Sequence, residues 1–550
     1  MNYKAASKLK SILLGLCLST LFGLDAYGQQ EFTRADTLRG SITPERAWWD
    51  LGFYHLKVEV FPETKSIKGS NLVRYRVDKE HQVLQIDLQE PLQITSVLQD
   101  GERLEFKREG AAHFISLKKK QIPGQIEEVQ IFYEGKPKEA IRPPWDGGIT
   151  WTKDSNGKPF IASSNQGIGS SIWWPLKDHP ADEVDSLNIS VTVPKGLKDI
   201  SNGRLLKVDM GPNSDTFHWS VVNPINDYGV NINIGDYVHF GEKFEGEKGF
   251  LDMDYYVLRE NLEKAKAHFQ DARRMMEAFE HWFGPYPFYE DGFKLVDAPY
   301  LGMEHQSSVT YGNGYQNGYR GRDLSGTGWG LKFDFIIIHE AGHEWFANNI
   351  TYKDVADMWI HESFTNYSES LFLEYHYGKE AGQEYVRGTR MNISNDIPII
   401  GKYGLNKRGS GDMYYKGGNM LNMLREILQD DGKWRSILRG LNQEFYHQTV
   451  TTEQVEEYIS MEMGMDLQPF FDQYLRDIRI PVLEYYYSDE KTLNYRWNNC
   501  LESFDIPVDI EIGEKKMRIM PENSWKTLEV NKPADVTVDP DYYVSVLKMR

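Results

Sequence analysis

Hydrophobic spacing changes period twice along this chain, and that limits the folds open to it. From about Tyr54 to Phe240 apolar and polar residues alternate, as in Val83-Leu84-Gln85-Ile86-Asp87-Leu88 and Leu187-Asn188-Ile189-Ser190-Val191-Thr192-Val193, the two-residue period of half-buried strands. Turn residues such as Pro143-Pro144-Trp145-Asp146-Gly147-Gly148 punctuate the runs, and the pattern predicts an antiparallel β domain. Near Leu258 the period lengthens. Glu260 to Phe283 has helix-forming composition and stops at Gly284-Pro285, a normal helix end. Helical patterning then dominates from about 331 to 477. After Ile480-Pro481 short alternating strands return, as in Val508-Asp509-Ile510-Glu511-Ile512. The expectation is a multi-domain α+β protein: β, then mostly α, then a small β module, with no internal repeat.

Composition narrows the function classes. The 550 residues carry a formal charge of −19, which argues against a nucleic-acid partner because phosphate contacts need basic patches. Lys4, Lys8 and Lys10 precede an apolar run of 13 residues, Ile12 to Leu24, and Ala26-Tyr27-Gly28 resembles a cleavage site. A signal peptide over 1–28 is expected, exporting the chain to the periplasm or beyond. The run is too short to span a bilayer, so no transmembrane span is expected in the mature chain. Bulky Leu16 before Cys17 disfavours lipid anchoring. Cys500 would then be the lone thiol, which excludes both an internal disulfide and a cysteine zinc site. Nothing in the sequence signals an oligomeric state.

The stretch Tyr311 to Gly330 holds seven glycines. Asn317 stands where a dinucleotide-binding G-x-G-x-x-G would need its third glycine, so a long flexible loop is expected instead.

The chemistry concentrates in His339-Glu340-Ala341-Gly342-His343. A helix is expected from Lys332 to Asn348, its first half buried by Phe333, Phe335, Ile336, Ile337 and Ile338. His339 and His343 stand one turn apart on one face. Two imidazoles so placed both reach one zinc ion, and a catalytic zinc takes three protein ligands plus a water. Glu340 lies about 100° round the helix, which suits a general base better than a ligand. The apolar run and Trp345 disfavour a merely solvated polar face. Glu362, in a second helical run from Asp357 to Glu369, is the candidate third ligand. Glu369, two turns further on the same face, is expected to orient the ligands from behind. His361 would point elsewhere.

These residues resemble the aminopeptidase N-type gluzincins, zinc metallopeptidases that also include leukotriene hydrolases. The ligand spacing His339, His343, Glu362 matches that family. Gly302-Met303-Glu304-His305 resembles its Gly-x-Met-Glu-Asn exopeptidase motif, Tyr414-Tyr415-Lys416-Gly417 its Tyr-x-Lys-Gly, and Ser164-Asn165-Gln166 before Trp174-Pro175 its β-domain amine contact. The departures are His305 for Asn, and His361 and Ser363 flanking Glu362 in place of Asn and Gly; they leave the ligands intact and bear on subsite shape.

After the signal expected at 1–28, the resemblance implies an N-terminal β-saddle domain at 29–243, a thermolysin-like mostly helical catalytic domain at 244–478 and a C-terminal β-sandwich at 479–550, without the large C-terminal helical domain of longer members. It implies one zinc per chain, Glu340 as general base, Tyr414 (with Tyr415 competing) as hydrogen-bond donor to the oxyanion, and a substrate-binding set of Glu304, Gln166, Gly302 and Met303. The expected activity is removal of N-terminal residues from peptides with a free amine. A zinc endopeptidase or other gluzincin hydrolase is the alternative, disfavoured by Glu304. A non-catalytic peptide-binding protein is the second, disfavoured by Glu340 and Tyr414.

Overall fold

A computed structural model describes residues 32–550; the expected signal at 1–28 and Cys17 lie outside the described residues. Eight strands form the largest sheet. At its centre Trp49–Phe61 and Ser66–Val77 make an antiparallel hairpin, with Trp49 opposite Val77 and Phe61 opposite Ser66. Alternation works as expected here: Leu56, Val58 and Val60 are buried while Lys57 and Glu59 are exposed. The antiparallel expectation fails where Trp49–Phe61 pairs in parallel with Ser186–Pro194, Phe53 opposite Ser186. The long connection between those strands holds several others, so the chain re-enters the sheet in the same direction. Residue alternation within a strand does not encode that direction.

A four-stranded sheet contains Pro159–Ser164, flanked by Gly148–Lys153 and Asn233–Gly235; its end delivers Gln166. A five-stranded sheet follows, in the order Tyr237–Gly246, Gly249–Leu258, Phe293–Asp297, Val309–Tyr311 and, at the edge, Gly302–Met303. The junction expected at 243/244 falls inside its first strand, because Tyr237–Gly246 and Gly249–Leu258 form one continuous hairpin, Tyr237 opposite Leu258.

The helix expected over Glu260 to Phe283 is broken at Phe269, whose ring packs on Tyr255 and Tyr311 with centroids 5.6 and 5.0 Å away. Its backbone separates Leu262–His268 from Gln270–Phe283. The helices that matter for the site are Phe335–Gly342, Trp359–Tyr377 and Tyr415–Leu428. A last pair of small sheets is built from Val482–Tyr487, Thr492–Asn498, Lys526–Glu529 and Ser545–Lys548, and from Val508–Ile512, Lys515–Ile519 and Val536–Val538. Met253, Phe279, Ile337, Leu371, Leu424, Leu483 and Trp497 belong to one continuous hydrophobic core. The C-terminal strands therefore seal the helical region instead of closing on themselves. Leu56, Val73, Ile131 and Leu187 belong to a separate core in the N-terminal sheets. Among the described residues no helix is long and apolar enough to cross a membrane.

Candidate metal centre and cleft

Asp334 starts the central helix: its carboxylate accepts from the backbone N–H groups of Ile336 and Ile337, satisfying two of the donors a helix start leaves unpaired. The expected Lys332–Asn348 helix is shorter at both ends, running from Phe335 to Gly342. Beyond His343 the backbone leaves helical geometry at Phe346 (φ −125°, ψ 77°), and the Phe346 ring stacks on Phe364 at 4.5 Å. That departure turns the Phe346 carbonyl to within 3.0 Å of His343 Nδ1. Gly342 lets this helix meet Trp359–Tyr377 closely, since a Cβ there would stand 2.8 Å from Ser368 Oγ.

The two helices bring His339, His343 and Glu362 together, all three buried, with one ligand atom of each within 4.8 Å of the others. Glu362 Oε2 lies 3.6 Å from His339 Nε2 and 3.4 Å from His343 Nε2. Buried, it accepts no hydrogen bond. A tetrahedral zinc with ligands at about 2.0–2.2 Å needs ligand atoms roughly 3.4 Å apart, so these residues fit the ion. Both imidazoles have their other nitrogen engaged. His339 Nδ1 is 2.8 Å from Glu369 Oε1, and His343 Nδ1 also lies 3.0 Å from Thr365 Oγ1. Glu369 is itself held by the Tyr385 hydroxyl at 2.6 Å and the Asn366 amide at 3.2 Å. Fixing Nδ1 in this way leaves each Nε2 to face the metal position.

Glu340 packs against Gly302, where a Cβ would stand 3.0 Å from Glu340 Oε1 and 2.6 Å from Ile336 Cγ2. Only glycine fits there. Burial raises the pKa of Glu340 to about 7 against the opposing pull of His339, so the carboxyl sits near the neutral range a general base uses. Burial alone would also raise Glu362, but His343 and His339 outweigh it and hold it well below the ordinary carboxylate range.

Glu304 follows the edge strand Gly302–Met303 and groups with Glu340 and His343. Gln166, arriving from the N-terminal sheets, donates from Nε2 to Glu304 Oε1 at 2.6 Å and to Glu362 Oε1 at 3.1 Å. Tyr414 precedes the Tyr415–Leu428 helix, and its ring lies over His339 at 6.0 Å. All the sequence-derived candidates except Glu369, which stands behind His339, line one open cleft of about 490 Å³.

His305, His361 and Ser363, which bore on subsite shape in the sequence, do not line that cleft. His361 faces away: its Nε2 accepts the Tyr352 backbone N–H at 3.0 Å and its ring stacks on Tyr352 at 4.1 Å. Ser363 donates to the Met413 carbonyl at 2.7 Å, steadying the approach to Tyr414. His305 is buried with Nδ1 3.4 Å from Thr310 Oγ1.

The glycine-rich stretch is not a loose loop but a wall of the cleft, contributing Tyr319, Arg322 and Leu324. Asn313 donates to the carbonyls of Gln316 and Gly318 and to Asp334 Oδ1, at 2.8–2.9 Å, so the residue that caps the central helix also anchors this wall. The glycines signalled turns, but their anchor, Asn313, carried no signal of its own. Arg408, also at the cleft, was equally invisible in the sequence.

Residues 268–474 match the family model described as Peptidase family M1 domain. Probable aminopeptidase 1 of Saccharolobus solfataricus is 21% identical over 403 residues, 70% of this chain and 48% of that protein. Leucyl aminopeptidase of the same organism is 20% identical over 444 residues, 78% of this chain and 54% of that protein. This chain spans about half the length of these curated relatives. In structure it is similar to a mutant M1 zinc metallopeptidase from Deinococcus radiodurans bound to a Tyr-Ser-Ala substrate, with a TM-score of 0.67 and 18% identity, over 80% of this chain and 96% of that one. The matched segment holds His339, Glu340, His343, Glu362, Glu369 and Tyr414 alike: residues 268–474 of this chain are a peptidase family M1 domain.

Proposed function

We propose that this chain is a zinc-dependent aminopeptidase that removes N-terminal residues from peptides. His339, His343 and Glu362 would hold one zinc per chain. Bound there, zinc supplies Lewis acidity that polarises a carbonyl and acidifies water. Glu340 takes the proton of the attacking water and passes it to the departing amine. The Tyr414 hydroxyl donates to the oxygen on which charge develops. Gly302 and Met303 form the edge strand beside which the peptide lies. The relatives named as aminopeptidases support this reading. The signal pattern over 1–28 supports action outside the cytoplasm.

The observation that carries the exopeptidase reading is the pairing of Glu304 with Gln166 beside the metal position. Glu304 is buried, and the partner its carboxylate has from the N-terminal sheets is the neutral Gln166 amide, not a lysine or arginine. A substrate ammonium supplies the missing charge. Acetylating that amine removes it, a penalty on the order of 3–5 kcal/mol. Free-amine peptides should therefore be cleaved one residue at a time while their N-acetylated versions stay nearly inert, and Glu304→Ala should narrow the gap by slowing the free-amine substrate. Efficient internal cleavage of an acetylated peptide, followed by mass spectrometry, would replace this reading with an endopeptidase.

Glu369 makes a separate prediction. Glu369→Ala frees the His339 ring and should weaken zinc binding by about ten- to a hundredfold, as read by competition with a chelator of known affinity. Unchanged affinity would mean that Glu369 serves only the helix packing.

A further inference from the structure

We propose that Arg322 receives the C-terminal carboxylate of the substrate, so that the cleft measures a short peptide from both ends and favours chains of roughly three to five residues. This rests on the aminopeptidase reading above.

The first observation is a cation without a counterpart. In a chain with 81 acidic against 62 basic side chains, most arginines are paired. Those without an acid are otherwise engaged in several cases: Arg103 donates to the Thr95 carbonyl, Arg390 to Asn419 and Arg435 to His281. Arg322 lines the cleft, is exposed, and among the described residues its guanidinium makes neither an ion pair nor a hydrogen bond. Its one recorded partner is the face of Tyr319, 6.0 Å away. Arg408 also lines the cleft without an ion pair, but it stands on the segment that leads to Tyr414, not on the wall beyond Phe335.

The second observation is that the backbone turn carrying Arg322 is held in place. The backbone of Tyr319 and Arg322 exchanges two hydrogen bonds, of 2.9 and 3.1 Å. Between them Arg320 and Gly321 have φ of 50° and 78°, a tight two-residue hairpin turn. The Arg320 N–H donates to Asn313 Oδ1 at 2.8 Å, which ties the turn through Asn313 to Asp334 and so to the central helix.

The third is position. Glu304 groups with Glu340 and His343. In the other direction along the helix, His339 stacks on Phe335 at 5.1 Å, Phe335 meets Tyr319 at 5.4 Å, and Tyr319 carries Arg322. The acidic anchor thus stands at the His343 end and the free guanidinium beyond the Phe335 end. A helix rising about 1.5 Å per residue separates Phe335 from His343 by roughly 12 Å, the reach of three or four extended residues. A planar guanidinium beyond the end of that span is suited to a carboxylate fork.

The test compares a tetrapeptide acid with its C-terminal amide, using an aminoacyl anilide, which bears no carboxylate, as the reference substrate. In the wild type kcat/KM should favour the acid by roughly five- to thirtyfold, and the preference should shrink as salt is raised. Arg322→Gln should bring the ratio close to one, whereas Arg320→Gln should keep the wild-type ratio. Calorimetric binding of the same two peptides to Glu340→Gln and to Glu340→Gln/Arg322→Gln should give the same contrast in Kd. Equal rates for acid and amide in a wild type that hydrolyses the anilide would overturn this inference alone. So would an amide whose rate is restored by a glutamate side chain at its last position. No hydrolysis of any substrate would overturn the aminopeptidase reading, and the binding comparison would still decide the role of Arg322.

Discussion

His343→Ala should leave a folded protein that has lost most of its zinc and hydrolyses aminoacyl substrates no faster than the assay background. The imidazole contributes in two ways. Its Nε2 is one of two nitrogens facing the unpaired Glu362 Oε2, and removing it leaves two ligands where a catalytic zinc takes three. Its Nδ1 sits 3.0 Å from both the Phe346 carbonyl and Thr365 Oγ1, and losing those contacts should cost about 1–3 kcal/mol of stability. The two effects separate by melting. An ion that binds only the folded state raises its stability, so a chelator should lower the Tm of the wild type while scarcely moving that of His343→Ala. Elemental analysis that finds full zinc in the variant would place the metal elsewhere.

Much of this centre is legible in the sequence. His339 and His343 share a face because a helix repeats every 3.6 residues, about one turn per four-residue step, and the same rule put Glu369 on the Glu362 face. What the sequence concealed were features set by contacts distant in the chain. The central helix ends at Gly342 because Phe346 turns to stack on Phe364, and no local propensity announces that. The parallel partnership of Trp49–Phe61 with Ser186–Pro194 depends on where the chain re-enters the sheet. The glycine-rich stretch reads as loose by composition, yet one asparagine, Asn313, spends its amide on three acceptors and makes it a wall. His361 turns away from the cleft, as its place beside Glu362 on the helix requires; that Ser363 spans to the Met413 carbonyl depends on a loop fifty residues on and carries no local signal.

Glu340→Gln should keep its zinc and lose roughly two to four orders of magnitude in turnover. The substitution preserves side-chain volume, which matters because Glu340 lies against Gly302 with no room to spare. A larger or differently branched residue would shift the edge strand carrying Glu304 and blur a chemical effect with a positional one. Glutamine fits but cannot accept a proton, so bound substrate should persist uncleaved and the zinc content should match the wild type. That pattern distinguishes it from His343→Ala, where metal and activity fall together. Tyr414→Phe should show a third pattern. In the role proposed for it, its hydroxyl would act on the oxygen only as charge develops, so kcat should fall by roughly two to three orders of magnitude while KM changes little. If the residues act as one unit, Glu340→Gln/Tyr414→Phe should be little slower than Glu340→Gln alone, because once the proton cannot be removed the oxyanion that Tyr414 stabilises does not form. Fully multiplicative losses in the double variant would instead assign Glu340 and Tyr414 to separate steps.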